Sequence, residues 1–387
     1  MNFSILKIVF VPLAFFAVCF SVQPVYSQPY TFRGQLSGWG KINTIGNNEY
    51  SIGMRYLPEA TASLFKLGPV QVDADASVNL FAVSNISKSN TVNDNEAKLY
   101  RMWLRFSTSQ FEVRAGLQKI NFGPAFILRS LMWFDSLDPR DPQQLTDGVY
   151  GVLMRYYFLN NANIWLWGLY GNDELKGSEI SYTQKDIPEW GGRLQYPVGP
   201  GEAGVSFHRR KTDLTRTARS LYGLPAFFEL PGLWENRYAL DGKWDVVLGL
   251  WFESSVTRYE EPIMNYQYIN QLTLGADYTF GLGNGLHVTG EYLAMNVGQK
   301  FMIDGDYEYS ALAIDYPINL FDRVMGIALY DHRNELFYWY SSVQQTFDHW
   351  SLNAMFFWSP ETGSAPLGRP MVQTLFRGVQ LMVIYTH

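Results

Sequence analysis

The chain has 387 residues, with 30 Lys and Arg against 36 Asp and Glu for a net charge of −6, and Cys19 is its single cysteine. An acidic balance argues against nucleic acid as a partner, and one cysteine leaves neither a disulfide framework nor a thiolate metal site. Mean hydropathy is slightly negative although aromatic residues make up 16% of the chain, so something other than an ordinary soluble core must account for 26 Phe, 25 Tyr and 12 Trp.

The first element is "MNFSILKIVFVPLAFFAVCFSVQPVYSQPY". One early Lys7, an apolar run from Ile8 to Phe20 and the small-residue exit at Ser27 form the pattern of a secretory signal peptide over 1–27. The run falls short of the roughly 20 residues a spanning helix needs. Cleavage after Ser27 would remove Cys19 and leave residues 28–387 as one domain, since no linker or repeat divides them.

From residue 31 onward the pattern has a period of two. In "VQVDADASVNL", Val70, Val72, Ala74, Ala76, Val78 and Leu80 alternate with Gln71, Asp73, Asp75, Ser77 and Asn79, which predicts a strand with one greasy and one wet face. Hairpins follow: 98–107 with 110–120 about Thr108-Ser109, 151–158 with 163–171, 189–197 with 203–210, and 236–243 with 246–257 about Trp244-Asp245. The most legible is 271–280 with 286–295 across "GLGNG", where Leu272, Leu274, Ala276, Tyr278 and Phe280 share a face with Leu286, Val288, Gly290, Tyr292 and Ala294. Long polar connections separate the hairpins at 84–97, 121–150, 172–188, 211–235, 258–267, 296–307 and 359–373.

Short turns alternating with long loops predict an all-β fold, a transmembrane antiparallel β-barrel of about 18 strands with periplasmic turns and extracellular loops. The alternative count is 16, because 308–358 is harder to parse. Phe158, Tyr196, Trp244, Phe280 and Tyr316 beside the short turns suit an interfacial girdle.

In such a barrel the wet faces line the lumen. Arg101, Arg105, Arg114 and Arg155 stand there with Glu112 and Trp103, and a turn at Thr108-Ser109 sets Arg105 opposite Glu112 and Arg114 opposite Trp103. Later strands place Asp241, Asp277, Glu291 and Asp315 on the opposite wall, so the two walls would impose a transverse field on passing solutes. The segment "PAFILRSLMWFDSLDPRDPQQLTDG" is too apolar at its start to extend into solvent, and 124–149 is expected to fold inward as a constriction. Asp135, Asp138, Arg140, Asp141 and Asp147 would then meet arginines or water.

A calcium loop is the rival for Asp135, Asp138 and Asp141, but they lack alternate-residue ligand spacing and a central glycine. Ser206 and His208 share a face, so a hydrolase is imaginable, although no third orienting group is evident. Neither a cofactor nor a metal is called for.

At "RAGLQKINFGPAFILRSLMWFDSLDPRDP" the chain resembles Gram-negative outer-membrane porin-like barrels, including those of the alginate-export type. The matching positions are Arg114, Gly116, Gln118, Ile120, Phe122 and Gly123, with Leu117 where those barrels often carry Arg. The resemblance implies a channel for small hydrophilic solutes in the outer membrane, surrounded by lipid and lipopolysaccharide and inserted by the barrel-assembly machinery. A plugged barrel serving scaffolding or secretion is the alternative.

Overall fold

The computed structural model describes residues 30–45, 49–88, 90–223, 225, 229–263, 266–301, 305–360 and 377–387. The expected signal peptide and most of the 359–373 connection lie outside them. The first seven strands are β1 (Tyr30–Asn43), β2 (Glu49–Leu67), β3 (Val70–Ile86), β4 (Thr91–Ser107), β5 (Phe111–Gln118), β6 (Val149–Tyr157) and β7 (Asn163–Leu169). After the two-residue β8 (Tyr182–Thr183) come β9 (Glu189–Val198), β10 (Gly201–Asp213), helix α1 (Leu214–Tyr222), β11 (Trp234–Asp245), β12 (Gly249–Ile263) and β13 (Tyr266–Phe280). The remainder are β14 (Leu286–Gly298), β15 (Tyr307–Pro317), β16 (Asp322–Asp331), β17 (Leu336–Thr346), β18 (Trp350–Trp358) and β19 (Gly378–Thr386).

Strands pair antiparallel with their neighbours, β7 joins β9 directly, and β8 pairs only with the end of β10. β1 closes on β19 from Gln35↔Thr386 to Asn43↔Gly378. The result is a closed 18-strand antiparallel barrel, which leaves no edge strand to be satisfied by solvent.

Alternation decides the faces. On β6, Tyr150, Val152, Met154 and Tyr156 are exposed while Leu153 between them is fully buried. The pairing of β13 with β14 runs Leu272↔Ala294 to Phe280↔Leu286, so the apolar set read from the sequence does share one face. Phe158, Tyr196 and Phe280 are exposed beside short turns, as a girdle requires.

Two expected turns move. Thr108 N–H donates to the Phe111 carbonyl at 2.7 Å and the Phe111 N–H donates to Thr108 Oγ1 at 3.1 Å, so the turn centres on Ser109-Gln110. The register shifts to Ser107↔Glu112 and Arg105↔Arg114. Likewise Asp245↔Gly249 pair, which puts the β11–β12 turn at 246–248. Two expected loops, 84–97 and 258–267, are largely strand, because β3, β4, β12 and β13 continue beyond their apolar bands; Thr91–Ala97 are all exposed there. The 211–235 connection contains α1, capped by the Asp213 side chain accepting from Arg216 N–H at 2.8 Å and ended by Gly223 at φ 63°.

β15 to β19 depart from simple alternation. Leu312, Ile314, Phe356 and Leu381 face outward and are exposed, yet the inward face is also apolar: Tyr309, Ala311, Ile327, Leu329, Tyr340, Met355, Met382 and Ile384 form one buried cluster with Ile127 and Leu128.

Candidate functional site

The connection from β5 to β6, residues 119–148, carries the site. Its exit explains the sequence motif position by position. Gly116 has φ 123°, and a Cβ there would meet the Met102 carbonyl at 2.2 Å. Gln118 is fully buried and its amide donates to the carbonyls of Arg114 (3.0 Å) and Gly151 (3.1 Å). Ile120 and Phe122 are core residues, with Phe122 stacked on Trp167 at 5.9 Å and edge-on to Trp133 at 5.4 Å. Gly123, at φ 96°, lets the chain pass Glu253, whose Oε1 would lie 2.3 Å from any Cβ. The motif is thus the geometry of a chain leaving a strand and turning.

Beyond Gly123 the loop is bound to strands far around the barrel. Ile127 and Leu128 pack on the apolar inner face of β15–β19, while Leu131, Trp133 and Phe134 join Leu153, Trp167, Leu169 and Ala239 in a second cluster. Glu253 of β12 accepts N–H bonds from Ala125 (2.9 Å), Ser130 (2.7 Å) and Leu131 (3.0 Å). Glu291 of β14 accepts from Phe126 (2.6 Å), Ile127 (2.8 Å), Leu128 (2.5 Å) and Trp251 Nε1 (3.1 Å). Buried hydrogen bonds to a charged group contribute about 1.5–3 kcal/mol each. Further along, the Tyr340 hydroxyl donates to the Arg140 carbonyl at 3.0 Å and the Gln143 amide donates to Gln35 Oε1 at 2.7 Å.

The expected site residues divide by what holds them. Asp135 is buried in an ion pair with Arg129. Asp138 pairs with Arg140 at 2.7 Å, Asp141 accepts the N–H groups of Gln143 (2.9 Å) and Leu145 (3.1 Å), and exposed Asp147 pairs with Lys98 at 3.0 Å. The three aspartates weighed as a calcium loop therefore serve separate partners.

On the basic wall, the expected Arg105–Glu112 pair does not form, because the displaced turn moves the register. Arg105 instead binds Asp73 of β3 at 2.7 Å, and Glu112 is shared by Arg114 (3.1 Å) and Arg155 (3.7 Å). Arg114 does lie over the Trp103 ring, 4.5 Å from its centroid, from a diagonal position; Arg155 lies 3.9 Å from Trp165, Arg101 3.9 Å from Tyr100 and Arg55 5.1 Å from Phe81. Arg101 also donates to the Thr146 carbonyl at 2.8 Å.

The opposite wall is not an open acidic surface. Asp241 is buried in a two-bond pair with Arg193 at 2.6 and 2.8 Å, Asp315 is paired with Arg323, and Glu291 is spent on the loop. Asp277 is half-buried near the short-turn end of β13, opposite Gly249 and Thr289. Desolvated carboxylates are kept only where such partners exist. What faces the arginines is instead apolar.

Between Arg55 and this apolar face lies a cavity of about 320 Å³ lined by Trp39, Lys41, Arg55, Asp138, Arg140, Asp141 and side chains of β16–β19. Burial pushes the Asp141 carboxyl above the usual carboxylate range, with the Gln143 and Leu145 N–H groups and Arg55 pulling the other way.

A second loop, 170–188, also folds onto buried ground, and sequence reasoning missed it. Arg210 binds Glu235 through Nε and Nη2, both at 2.7 Å, Arg237 bridges Glu235 (2.6 Å) and Glu179 (3.0 Å), and Lys176 binds Glu189 at 3.1 Å. The signal was available in alternate inward positions His208, Arg210 and Thr212, and Glu235 with Arg237. His208 is fully buried: its Nδ1 accepts from Trp167 Nε1 at 3.1 Å, so Nε2 carries the proton and meets Glu189 at 3.2 Å. Ser206 accepts separately from Arg193 at 3.1 Å. The two do not form a nucleophile–base pair.

No family model matches the sequence, and no curated protein matches it significantly. Among solved structures the chain is similar to Pseudomonas aeruginosa OccD3 (OpdP), with 11% identity, a TM-score of 0.57 and coverage of 94% of this chain and 95% of that one. It is similar also to Pseudomonas aeruginosa OccK5 (OpdH), at 11% identity, TM-score 0.54 and 92% and 97% coverage, and to Acinetobacter baumannii OccAB4, at 10%, 0.55 and 94% and 100%. These neighbours are outer-membrane porins of the Occ group and not alginate-export barrels specifically. At such identities the likeness is one of fold: the chain is a closed antiparallel β-barrel of porin type.

Proposed function

We propose that the protein is an outer-membrane channel for small hydrophilic solutes with a preference for anions. The observation that carries this is the set of inward guanidiniums on the neighbouring strands β4, β5 and β6, Arg101, Arg114 and Arg155, with Arg55 on β2 beyond β3, each laid on an aromatic ring. A guanidinium held over a ring keeps its charge and its outward N–H donors while losing little freedom on meeting a solute. Glu112 fixes Arg114 and Arg155 within the array. Passage is by diffusion along this wall, with 124–149 narrowing the lumen and the apolar inner face of β15–β19 opposite. The fold likeness to porins supports an outer-membrane address, reached with the 1–27 leader, and lipid, lipopolysaccharide and the barrel-assembly machinery as partners.

The second reading, a plugged barrel with a scaffolding role, is favoured by the two loops buried on inward-facing strands. Planar bilayers separate the two. A channel shows conductance with a reversal potential on the anion side, and the double variant Arg114→Ala/Arg155→Ala moves it toward cations. A barrel silent even after deletion of 126–147 is not a channel.

A further inference from the structure

Six of the seven consecutive N–H groups from Ala125 to Leu131 end on only two side chains, Glu253 and Glu291. The seventh residue, Arg129, turns its side chain away to Asp135. Both glutamates are buried, and among the described residues neither makes an ion pair. Their oxygens are met by amide N–H groups and, at Glu291, by the Trp251 indole, with the Arg129 guanidinium within electrostatic reach of both, the arrangement of an anion in a backbone nest. Between them on β13, Thr273 Oγ1 donates to the Leu128 carbonyl at 2.6 Å and touches Ser130 Oγ at 2.7 Å. Gly123 is what allows Glu253 so near the chain.

We infer that Glu253 and Glu291 are positioning residues: they form a carboxylate latch that holds the 124–131 arm against β12–β14 and so sets the calibre of the passage beside the arginines. The inference rests on the channel reading for its consequence, but the latch itself is separately testable. Among the described residues, the arm's only other polar side-chain anchors on the barrel wall are the two Thr273 contacts; Ile127 and Leu128 make greasy contacts that tolerate sliding, whereas N–H bonds to carboxylate oxygens fix a register. A Gln in either position turns an NH₂ group toward N–H donors and breaks part of the nest.

The experiment uses the full chain folded into planar bilayers, with the folded barrel verified by its heat-dependent gel mobility. E253Q/E291Q is expected to raise single-channel conductance about twofold or more, with each single variant intermediate. Adding S130C/T273C to that background re-pins the arm through a disulfide between residues whose oxygens now touch. Oxidised, this variant should return to the wild-type conductance; reduced, it should rise again. A loss of fold cannot mimic that reversible switch. In parallel, trypsin should cut after Arg129 in E253Q/E291Q but not in wild type. Folded E253Q/E291Q barrels with wild-type conductance and an uncut arm overturn the latch. A silent wild type whose arm is released in the variant overturns the channel reading and leaves the latch standing.

Discussion

At the scale of single residues, charge in this lumen is mostly pre-committed. Asp73, Glu112, Asp241 and Asp315 each hold an arginine, and Asp135 is sealed inside the loop with Arg129. Asp141 is different: it is held by two N–H groups of its own loop, it lines the cavity with Arg55 and Arg140, and its carboxyl is pushed up from the ordinary value of 3.8 by burial. A raised carboxyl takes up its proton earlier as pH falls, so the proposed anion preference should grow on acidification from neutral toward about pH 4. Asp141→Asn keeps an acceptor for the Gln143 N–H but removes the charge. Reversal potentials measured across that range should start higher on the anion side and rise less steeply than wild type; an unchanged profile would show that Asp141 does not face the solute path.

At the scale of elements, the 170–188 loop depends on balanced burial. Arg210 is 1% exposed and binds both Glu235 and Glu179. Arg210→Ala leaves Arg237 as the one guanidinium shared by the buried Glu235 and Glu179, a loss of about 3–5 kcal/mol, to be read as a lower urea midpoint of the heat-resistant band. Full retention of the midpoint would mean water reaches those glutamates. Element boundaries also show what was legible in the sequence. Strands with one wet face, such as β6 and the β13–β14 hairpin, were readable because lipid demands alternation. Turn centres at Ser109-Gln110 and at 246–248 were not, because Thr108, Ser109 and Trp244-Asp245 are compatible with either placement and cross-strand pairing decides. The 308–358 stretch resisted parsing for a physical reason now visible: on β15–β18 part of the inner face is apolar as well, a patch of Tyr309, Ala311, Ile327, Leu329, Tyr340 and Met355 that receives Ile127 and Leu128. The loop's own course was legible in part, since its apolar start was incompatible with solvent, but Glu253 was not, lying about 130 residues away in a strand whose alternation gives no hint of its partner.

At the scale of the whole molecule, the walls differ: arginines on β2 and β4–β6, hydrocarbon on β15–β19. A field set by arginines at a water-filled surface is screened over about 10 Å at 0.1 M salt and about 3 Å at 1 M. Anion preference should therefore shrink markedly between those concentrations while the single-channel conductance rises; a preference independent of salt would point to a site that binds by shape. The two-faced hydrophobicity of β15–β19 also has a consequence before there is any barrel. While still unfolded in water, β15–β19 have no continuous polar side to turn outward, and their apolar inner patch stays bare until Ile127 and Leu128 have docked on it. The segment that finally closes the cylinder is thus the one most prone to self-association before it does so.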